Sequence, residues 1–160
     1  MHPEPLTYEK DGFTISTDRR KLDFAMIHDY LANRSYWSPG IPRRVVEQAA
    51  ENSLCYGVYS GEQQVGYARV VSDFATFAFL CDVFILEDYR GRGLSKWLMA
   101  CLLSHPDLQG VRRWSLVTRD AHGLYAQFDF VPVPNPEGWM VRINPQPYQA
   151  TWGGEAPVSR

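Results

Sequence analysis

A change of hydrophobic period in the middle of the chain constrains the fold more than any other feature of the sequence. Residues 74–86 are almost continuously apolar, and Asp82 is the one residue among them with a charged side chain. Such a run predicts a central β-strand that is buried on both faces. Apolar residues then recur at helical spacing over 94–102, which predicts an amphipathic helix, and residues 114–118 predict a further strand. A strand, a helix and a strand in succession indicate an α/β fold.

The segments around this unit predict a mostly antiparallel sheet. Residues 55–59 and 65–71 are strand-like and are joined by Ser-Gly-Glu-Gln, which predicts a hairpin. Asp18 and Asp120 are each expected to cap the helix that follows. The other predicted elements are a strand over 13–17, helices over 19–33, 43–52 and 121–128, and strands over 130–133 and 139–143.

The length and composition favour one globular domain. The chain has 160 residues, of which 45% are hydrophobic and 21% are charged. We place the domain over residues 1–144 and a Pro- and Gly-rich tail over residues 145–160. Tyr148 and Trp152 are candidates to anchor this tail on the same chain or on a second copy, which leaves a homodimer open.

Charge and cysteine content exclude several classes of function. The formal net charge of -2 provides no field for a polyanion, so nucleic acid is not an expected partner. No apolar run approaches the roughly 20 residues of a membrane span, so no membrane partner is expected. The three cysteines are widely spaced within apolar runs, which favours buried thiols in a reducing, cytoplasmic compartment over disulfides or a metal site.

Two glycines open the helix predicted after the central strand. Unpaired backbone N–H groups at a helix N-terminus form an anion site, and glycines let a phosphate approach the backbone closely. Arg90, Arg92 and Lys96 add positive charge there. The alternative is that Gly91 and Gly93 only form a tight turn and that the arginines are solvated. Gly-Lys-Ser/Thr is absent and Lys96 replaces the third glycine of a dinucleotide motif, so neither a nucleoside triphosphatase nor a dinucleotide oxidoreductase is expected.

Two motifs together resemble those of the GNAT superfamily of acyl-CoA-dependent N-acyltransferases. Residues 90–95 read Arg-Gly-Arg-Gly-Leu-Ser and resemble the family's pyrophosphate loop, Arg/Gln-x-x-Gly-x-Gly/Ala, with Ser95 at the last position. Residues 124–130 read Leu-Tyr-Ala-Gln-Phe-Asp-Phe and resemble Leu-Tyr-x-x-Phe-Gly-Phe, with Asp129 in place of the glycine. The resemblance covers residues 12–143. It implies a mixed, mostly antiparallel central sheet flanked by about four helices, with two central strands splayed apart to admit the pantetheine arm.

The resemblance also implies which residues bind acetyl-CoA as co-substrate. The pantetheine arm would pair with main-chain groups of Val83, Phe84 and Ile85, whose side chains would be ordinary core. The residues implied to hold the pyrophosphate are Arg90, Gly91, Arg92, Gly93, Leu94, Ser95 and Lys96. No metal ion is implied.

Two residues are candidates for the chemical step. Tyr125 matches the family's tyrosine near the thioester sulfur, so the resemblance implies that it protonates the leaving thiolate; the alternative is a core tyrosine. Asp82 is the candidate general base, because a carboxylate in an apolar strand is costly to bury unless it is paired, protonated or functional. The alternative is an ion pair with an arginine such as Arg69 or Arg119.

The acceptor is predicted from three aromatic residues. Tyr36 and Trp37 lie in the segment between the first two helices, which in the family often walls the acceptor pocket, and Trp139 lies near the last predicted strand. They favour a small, partly apolar primary amine, while simple loop packing is the alternative. We therefore predict an N-acetyltransferase that works by direct attack of the amine. The alternatives are a non-catalytic acyl-CoA-binding or protein-interaction module, and a protein or peptide N-acetyltransferase.

Overall fold

A computed structural model describes residues 3–148, which contain a six-stranded sheet with helices on both faces. The strands are β1 (Thr7–Lys10), β2 (Phe13–Ser16), β3 (Leu54–Ser60), β4 (Gln63–Ser72), β5 (Phe77–Ile85) and β6 (Arg113–Leu116). The α-helices are α1 (Phe24–Asn33), α2 (Arg43–Glu51), α3 (Leu94–Leu103) and α4 (His122–Ala126). The strands lie in chain order, and every neighbouring pair is antiparallel except β5 and β6. The predicted mixed, mostly antiparallel α/β fold with four helices is confirmed.

The neighbouring strands β5 and β6 are parallel and separate part of the way along; β5 is internal, whereas β6 is the last strand of the sheet in the described residues and so is not central as expected. A parallel pair needs a crossover connection, which α3 provides. Their pairing runs from Phe77 opposite Arg113 to Leu80 opposite Leu116 and ends there, while β5 continues to Ile85. The result is the predicted splay, which opens one edge of the last five residues of β5.

Two buried clusters hold the helices on opposite faces of the sheet. On one face, Leu98, Met99 and Leu102 of α3 pack against Ile15 and Val58 in the larger cluster. On the other face, α1 and α2 pack against β3 to β5. The residues of this smaller cluster are Ile27, Tyr30, Leu31, Val46, Ala50, Cys55, Tyr67 and Phe84. No helix among residues 3–148 is long and apolar enough to cross a bilayer.

The first predicted helix begins later than expected. Asp18 accepts a hydrogen bond from the Arg20 amide, but it caps only a 3-10 turn. The backbone at Leu22 is extended, and Asp23 then caps α1 by accepting from the Met26 amide at 3.0 Å. The sequence offers two capping aspartates five residues apart, and the prediction chose the first.

The edge strand β1 was not predicted. It pairs with β2 through Asp11 and Gly12, whose positive φ values of 51° and 80° suit a tight hairpin turn. The Asp-Gly pair is the sequence signal that could have located this hairpin.

Two expectations about the central strand and α4 are wrong. β5 is not buried on both faces, since Phe77 remains 36% exposed; α3 covers the face of Ala78 and Leu80, and the other face is left open at this end. Asp120 does not cap α4: the N-cap is Ala121, and the Ala121 amide donates to the Thr118 hydroxyl at 3.0 Å.

The strands predicted over 130–133 and 139–143 are absent from the described residues. Pro132 and Pro134 have no amide to donate to a strand neighbour, and Val141 and Ile143 remain 83% and 78% exposed. The described residues up to Phe130 form one compact unit, and those from Val131 onward form a second. The second unit contains one 3-10 turn, Pro136–Gly138, in its described part. The tail over 145–160 stays a prediction, and its residues 149–160, with Trp152, lie outside the described residues.

Candidate active site

The glycine-rich turn folds into an open cradle at the start of α3. Gly91 and Gly93 both have φ of 75°, a backbone conformation that side chains other than glycine rarely adopt. A Cβ atom added at either glycine would meet nothing within 4 Å, so the space above the turn is free. Trp97 is the first amide bonded within the helix, to the Gly93 carbonyl at 3.1 Å. The amides of the three residues before it are therefore available to an anion.

This cradle forms a pocket of about 170 Å³ beside the end of β5. Its lining residues are Ile85, Tyr89, Arg90, Gly91, Gly93, Leu94, Ser95 and Lys96. Six of the seven residues predicted to hold a pyrophosphate thus line one pocket. Arg92 instead places its guanidinium 5.4 Å from the ring centre of Tyr89 and donates to the Asp88 carbonyl at 3.4 Å. The free amides and the free space fit a phosphate group.

Arg90 anchors the cradle to β5 and α1. Its Nε donates to the Ile85 carbonyl at 3.0 Å, and one terminal nitrogen donates to the Tyr30 hydroxyl at 2.9 Å. Tyr30 is 5% exposed and stacks on Phe84, with ring centroids 3.8 Å apart. The predicted phosphate ligand Arg90 therefore has a structural task as well. Sequence reasoning assigned Tyr30 only to the apolar face of a helix, because its partner Arg90 is 60 residues away.

Val83, Phe84 and Ile85 lie where β5 has one paired and one open edge. β4 pairs with this segment through Tyr67 opposite Phe84 and Gly66 opposite Ile85. β6 ends its pairing at Leu80, so it does not occupy the other edge. Phe84 and Ile85 are buried, and Val83 is half-buried. Their side chains are core, as expected, and the open edge leads from the splay toward the cradle.

Asp82 lies at the splay and is held by two donors. Arg69 donates from Nε to Oδ2 at 2.8 Å, and the Trp37 indole donates to Oδ1 at 3.1 Å. Asp82 has φ of 54°, next to an irregularity in the β4–β5 register. Its carboxylate is 14% exposed. Of the two ion-pair partners considered from the sequence, Arg69 forms the pair.

Arg69 was named only as a partner by the sequence reasoning, but it organises this corner of the site. Its side chain is 17% exposed and also donates to the Ser53 hydroxyl at 3.1 Å. Ser53 gave no signal in the sequence because it lies outside every motif. A carboxylate held by a guanidinium and an indole retains lone pairs that can accept a further hydrogen bond.

Tyr125 is a buried residue of α4, the helix that follows β6. It is 8% exposed, and its ring meets that of Phe130 edge-on at 6.0 Å. Burial raises the pKa of Tyr125 to about 12, with smaller contributions from Tyr36 and Asp120. The phenol is therefore protonated at neutral pH and can donate a proton or a hydrogen bond.

Tyr36 and Trp37 bridge the two sides of the splay. Trp37 reaches Asp82 on β5, and the Tyr36 hydroxyl accepts from the Arg119 amide, beyond β6, at 2.8 Å. The Arg119 guanidinium lies 3.9 Å from the centre of the Tyr36 ring. The two aromatic side chains remain 38% and 40% exposed, so they are not simply core packing. Trp139, the third predicted acceptor residue, lies in the second unit, and its role stays a prediction.

The cysteines lack the properties of a nucleophile. Burial raises the pKa of Cys81 to about 11 and that of Cys101 to about 11, and it also raises the pKa of Cys55. Near neutral pH these groups are thiols rather than thiolates. Among residues 3–148, no group of three His, Cys, Asp or Glu side chains is placed to hold a metal ion.

Comparison with known proteins places this architecture among acetyltransferases. The family model described as "Acetyltransferase (GNAT) domain" matches residues 51–132. A crystal structure from Xanthomonas campestris, described as a "putative acetyltransferase belonging to the gnat family", is 48% identical, with a TM-score of 0.82. The match covers 86% of this chain and 97% of that chain.

A more distant curated relative agrees, and a further solved structure shares the fold. A curated protein from Gibberella zeae, named "putative acetyltransferase", is 29% identical over 146 residues, which cover 78% of this chain and 81% of the relative. A GNAT family acetyltransferase from Elizabethkingia anophelis, solved with acetyl-CoA bound, shares the fold at 13% identity and a TM-score of 0.56. That match covers 74% of this chain and 76% of the other.

Proposed function

Because the chain belongs to the GNAT family of acetyltransferases, we propose that it transfers an acetyl group from acetyl-CoA to a primary amine by direct attack. One observation carries this proposal: the cradle lies beside the end of β5, and the open edge of β5 leads from the cradle to Asp82 at the splay. This arrangement suits a long molecule with phosphates at one end and a reactive thioester at the other. The distant relative from Elizabethkingia anophelis has acetyl-CoA bound, which supports the choice of donor.

The cradle and the strand edge would bind the donor. The free amides at the start of α3 suit the pyrophosphate, because they combine hydrogen-bond donors with the positive end of the helix dipole. The open main-chain edge at Val83, Phe84 and Ile85 suits the amide groups of the pantetheine arm. In this arrangement Arg90 positions the cradle by holding Ile85 and Tyr30.

Tyr125 would act as the general acid. A phenol that is still protonated at neutral pH can give its proton to a thiolate as the carbon–sulfur bond breaks. Its place in α4, the helix that follows β6, and its burial support this role.

Asp82 would accept the proton of the attacking amine, directly or through a water molecule. Arg69 and Trp37 keep its carboxylate oriented. The same negative charge would attract a protonated amine, and Tyr36 and Trp37 would wall the acceptor. These groups favour a small, partly apolar primary amine, and Trp139 is a further candidate to contact it.

The experiment that tests the proposal is CoA release from acetyl-CoA over a panel of primary amines and of peptides with free N-termini. We expect turnover with small, partly apolar amines and little with peptides. Binding of acetyl-CoA without turnover on any acceptor would instead favour a non-catalytic module. Turnover confined to peptides would favour a peptide N-acetyltransferase.

A further inference from the structure

An exposed apolar surface lies on β4 and β5 next to Asp82. Val71 is 39% exposed, Phe77 is 36% exposed and Phe79 is half-buried. We refer to Val71, Phe77 and Phe79 as the aromatic strip. Val71 is opposite Phe79 in the β4–β5 register, and the Phe77 and Phe79 rings stack with centroids 6.3 Å apart. The three side chains therefore form one continuous surface.

The aromatic strip lies on the same face of the sheet as Arg69, which holds the candidate base Asp82. Residues two apart on a strand share a face, so Phe79 shares its face with Cys81, and Val71 shares it with Arg69. Arg69 and Cys81 are opposite each other, and Arg69 is also opposite Cys55, which belongs to the cluster beneath α1 and α2. The strip therefore lies on the face of the sheet that α1 and α2 cover elsewhere, and it continues along β4 and β5 from the Arg69–Asp82 pair.

The buried clusters formed by residues 3–148 do not include this strip. Ala78 and Leu80 alternate with Phe77 and Phe79 and belong to the larger buried cluster, whereas none of the three strip residues is part of either cluster. Two stacked phenylalanines that are only partly covered, beside the exposed Val71, indicate a surface with an occupant, because contiguous exposed apolar side chains mark binding sites.

We infer that the aromatic strip binds the apolar arm of the acceptor, so that the substrate class is a primary amine joined by a short linker to an aromatic or aliphatic group. This inference rests on the proposed function. The Asp82 carboxylate keeps lone pairs that can accept from the ammonium form of the amine, and the strip lies farther along the same strand. Phe79 lies three residues from Asp82, about 10 Å along the strand. An arylalkylamine with two or three methylene groups spans this distance once the contact separations at its two ends are added, roughly 3 Å from the nitrogen to Asp82 and roughly 4 Å from the ring to Phe79.

The size of the strip favours this occupant over a second copy of the chain. A stable protein interface needs about 800 Å² from each partner, which three side chains do not supply. The apolar arm of a small amine needs only a few contacts with the strip, and Asp82 would hold the nitrogen at the other end of that amine.

The test compares 2-phenylethylamine with ethylamine, which has the same amino group without the ring. In a Phe77→Ala, Phe79→Ala double variant, KM for 2-phenylethylamine should rise about tenfold, the size expected for lost apolar contacts in a binding site. KM for ethylamine and KM for acetyl-CoA should change little. A Phe79→Leu variant, which keeps an apolar side chain at this position, should show a smaller rise in KM for 2-phenylethylamine than the double variant. Tyr8→Ala, which removes a half-buried aromatic ring from β1 at the opposite edge of the sheet, is the control.

The possible results separate this inference from the proposed function. If no amine is acetylated by the unaltered protein, the proposed function fails, and calorimetry with 2-phenylethylamine then tests the strip alone. If both amines are acetylated but the double variant raises both KM values equally, the strip does not bind the arm. A dimer in light scattering that the double variant dissociates, with unchanged KM values, would identify the strip as an interface and overturn the inference.

Discussion

The carboxylate of Asp82 accepts a hydrogen bond from the indole of Trp37 at 3.1 Å, across 45 residues of sequence. This contact joins the segment between α1 and α2 to the point where β5 and β6 separate. It places the candidate base and the candidate acceptor wall at one location.

Replacing Asp82 by Asn should reveal whether its carboxylate acts as the base. The amide cannot take a proton from the amine, so kcat/KM should fall and the acidic limb of its pH profile should shift or disappear. The profile is to be measured with the best amine of the panel, alongside Asp29→Asn, which alters a carboxylate paired with Arg34 on α1. An acidic limb identical to that of the unaltered protein would leave Asp82 with a structural role.

Gly93→Val should weaken acetyl-CoA binding strongly. The branched side chain would fill the open space above the cradle where a phosphate would lie. It also strains a backbone with φ of 75°, so Gly12→Val, at φ of 80° in the β1–β2 turn, is the matched control. Calorimetric titration should show lost affinity only for the Gly93 variant. Equal affinities in the two variants would place the phosphates elsewhere.

Tyr125→Phe keeps the ring and removes the hydroxyl. Acetyl-CoA affinity should be nearly retained while kcat falls by about 100-fold, the typical size of general acid catalysis. Because the pKa of Tyr125 is raised to about 12, its deprotonation should not limit the rate anywhere near neutral pH. Steady-state kinetics and a calorimetric Kd measure the two effects. An unchanged kcat would make Tyr125 a core residue.

Tyr30→Phe should loosen the cradle without disturbing the core. The variant keeps the stack on Phe84 and loses only the hydroxyl that accepts from Arg90. The Kd for acetyl-CoA should rise about fivefold, which corresponds to about 1 kcal/mol, the net contribution of one ordinary hydrogen bond. Tyr59→Phe is the control, because the buried Tyr59 hydroxyl has no hydrogen-bond partner among the described residues. The same Kd in both variants would show that Arg90 does not need Tyr30.

His105 should make the protein sensitive to acid. It is 1% exposed, burial lowers its pKa, and its Nδ1 accepts from the Asp107 amide. The neutral ring is favoured in the folded state, so stability is full above the unfolded pKa of about 6.5 and falls as the pH drops toward the lower folded value. His105→Asn keeps an acceptor for the Asp107 amide and should flatten this loss in denaturant titrations from pH 7 to 5.

The control for this prediction is His122→Asn, at an exposed position of α4. It should leave the dependence of unfolding free energy on pH unchanged. A His105→Asn variant with the same acid sensitivity as the unaltered protein would assign that sensitivity to other groups.

Local patterns in the sequence were enough to predict the order of most elements and the position of the cradle. Hydrophobic period is a local property, so α2, α3 and the β3–β4 hairpin could be predicted from it. Glycine permits a positive φ without requiring one, so the conformation of Gly91 and Gly93 is seen only in the structure. The resemblance to the GNAT loop was also local, because phosphate recognition there depends on a few consecutive amides.

Which distant residues meet depends on how the strands and helices pack. The sequence left open whether Asp82 pairs with Arg69 or Arg119, and the β4–β5 register decided for Arg69. It also suggested that β5 is buried on both faces, whereas helix placement leaves Phe77 exposed. An apolar run in the sequence shows that its side chains can be buried. Whether a particular side chain is covered depends on where the neighbouring helices end. The aromatic strip beside Asp82 is therefore a product of packing, and no local pattern in the sequence predicts it.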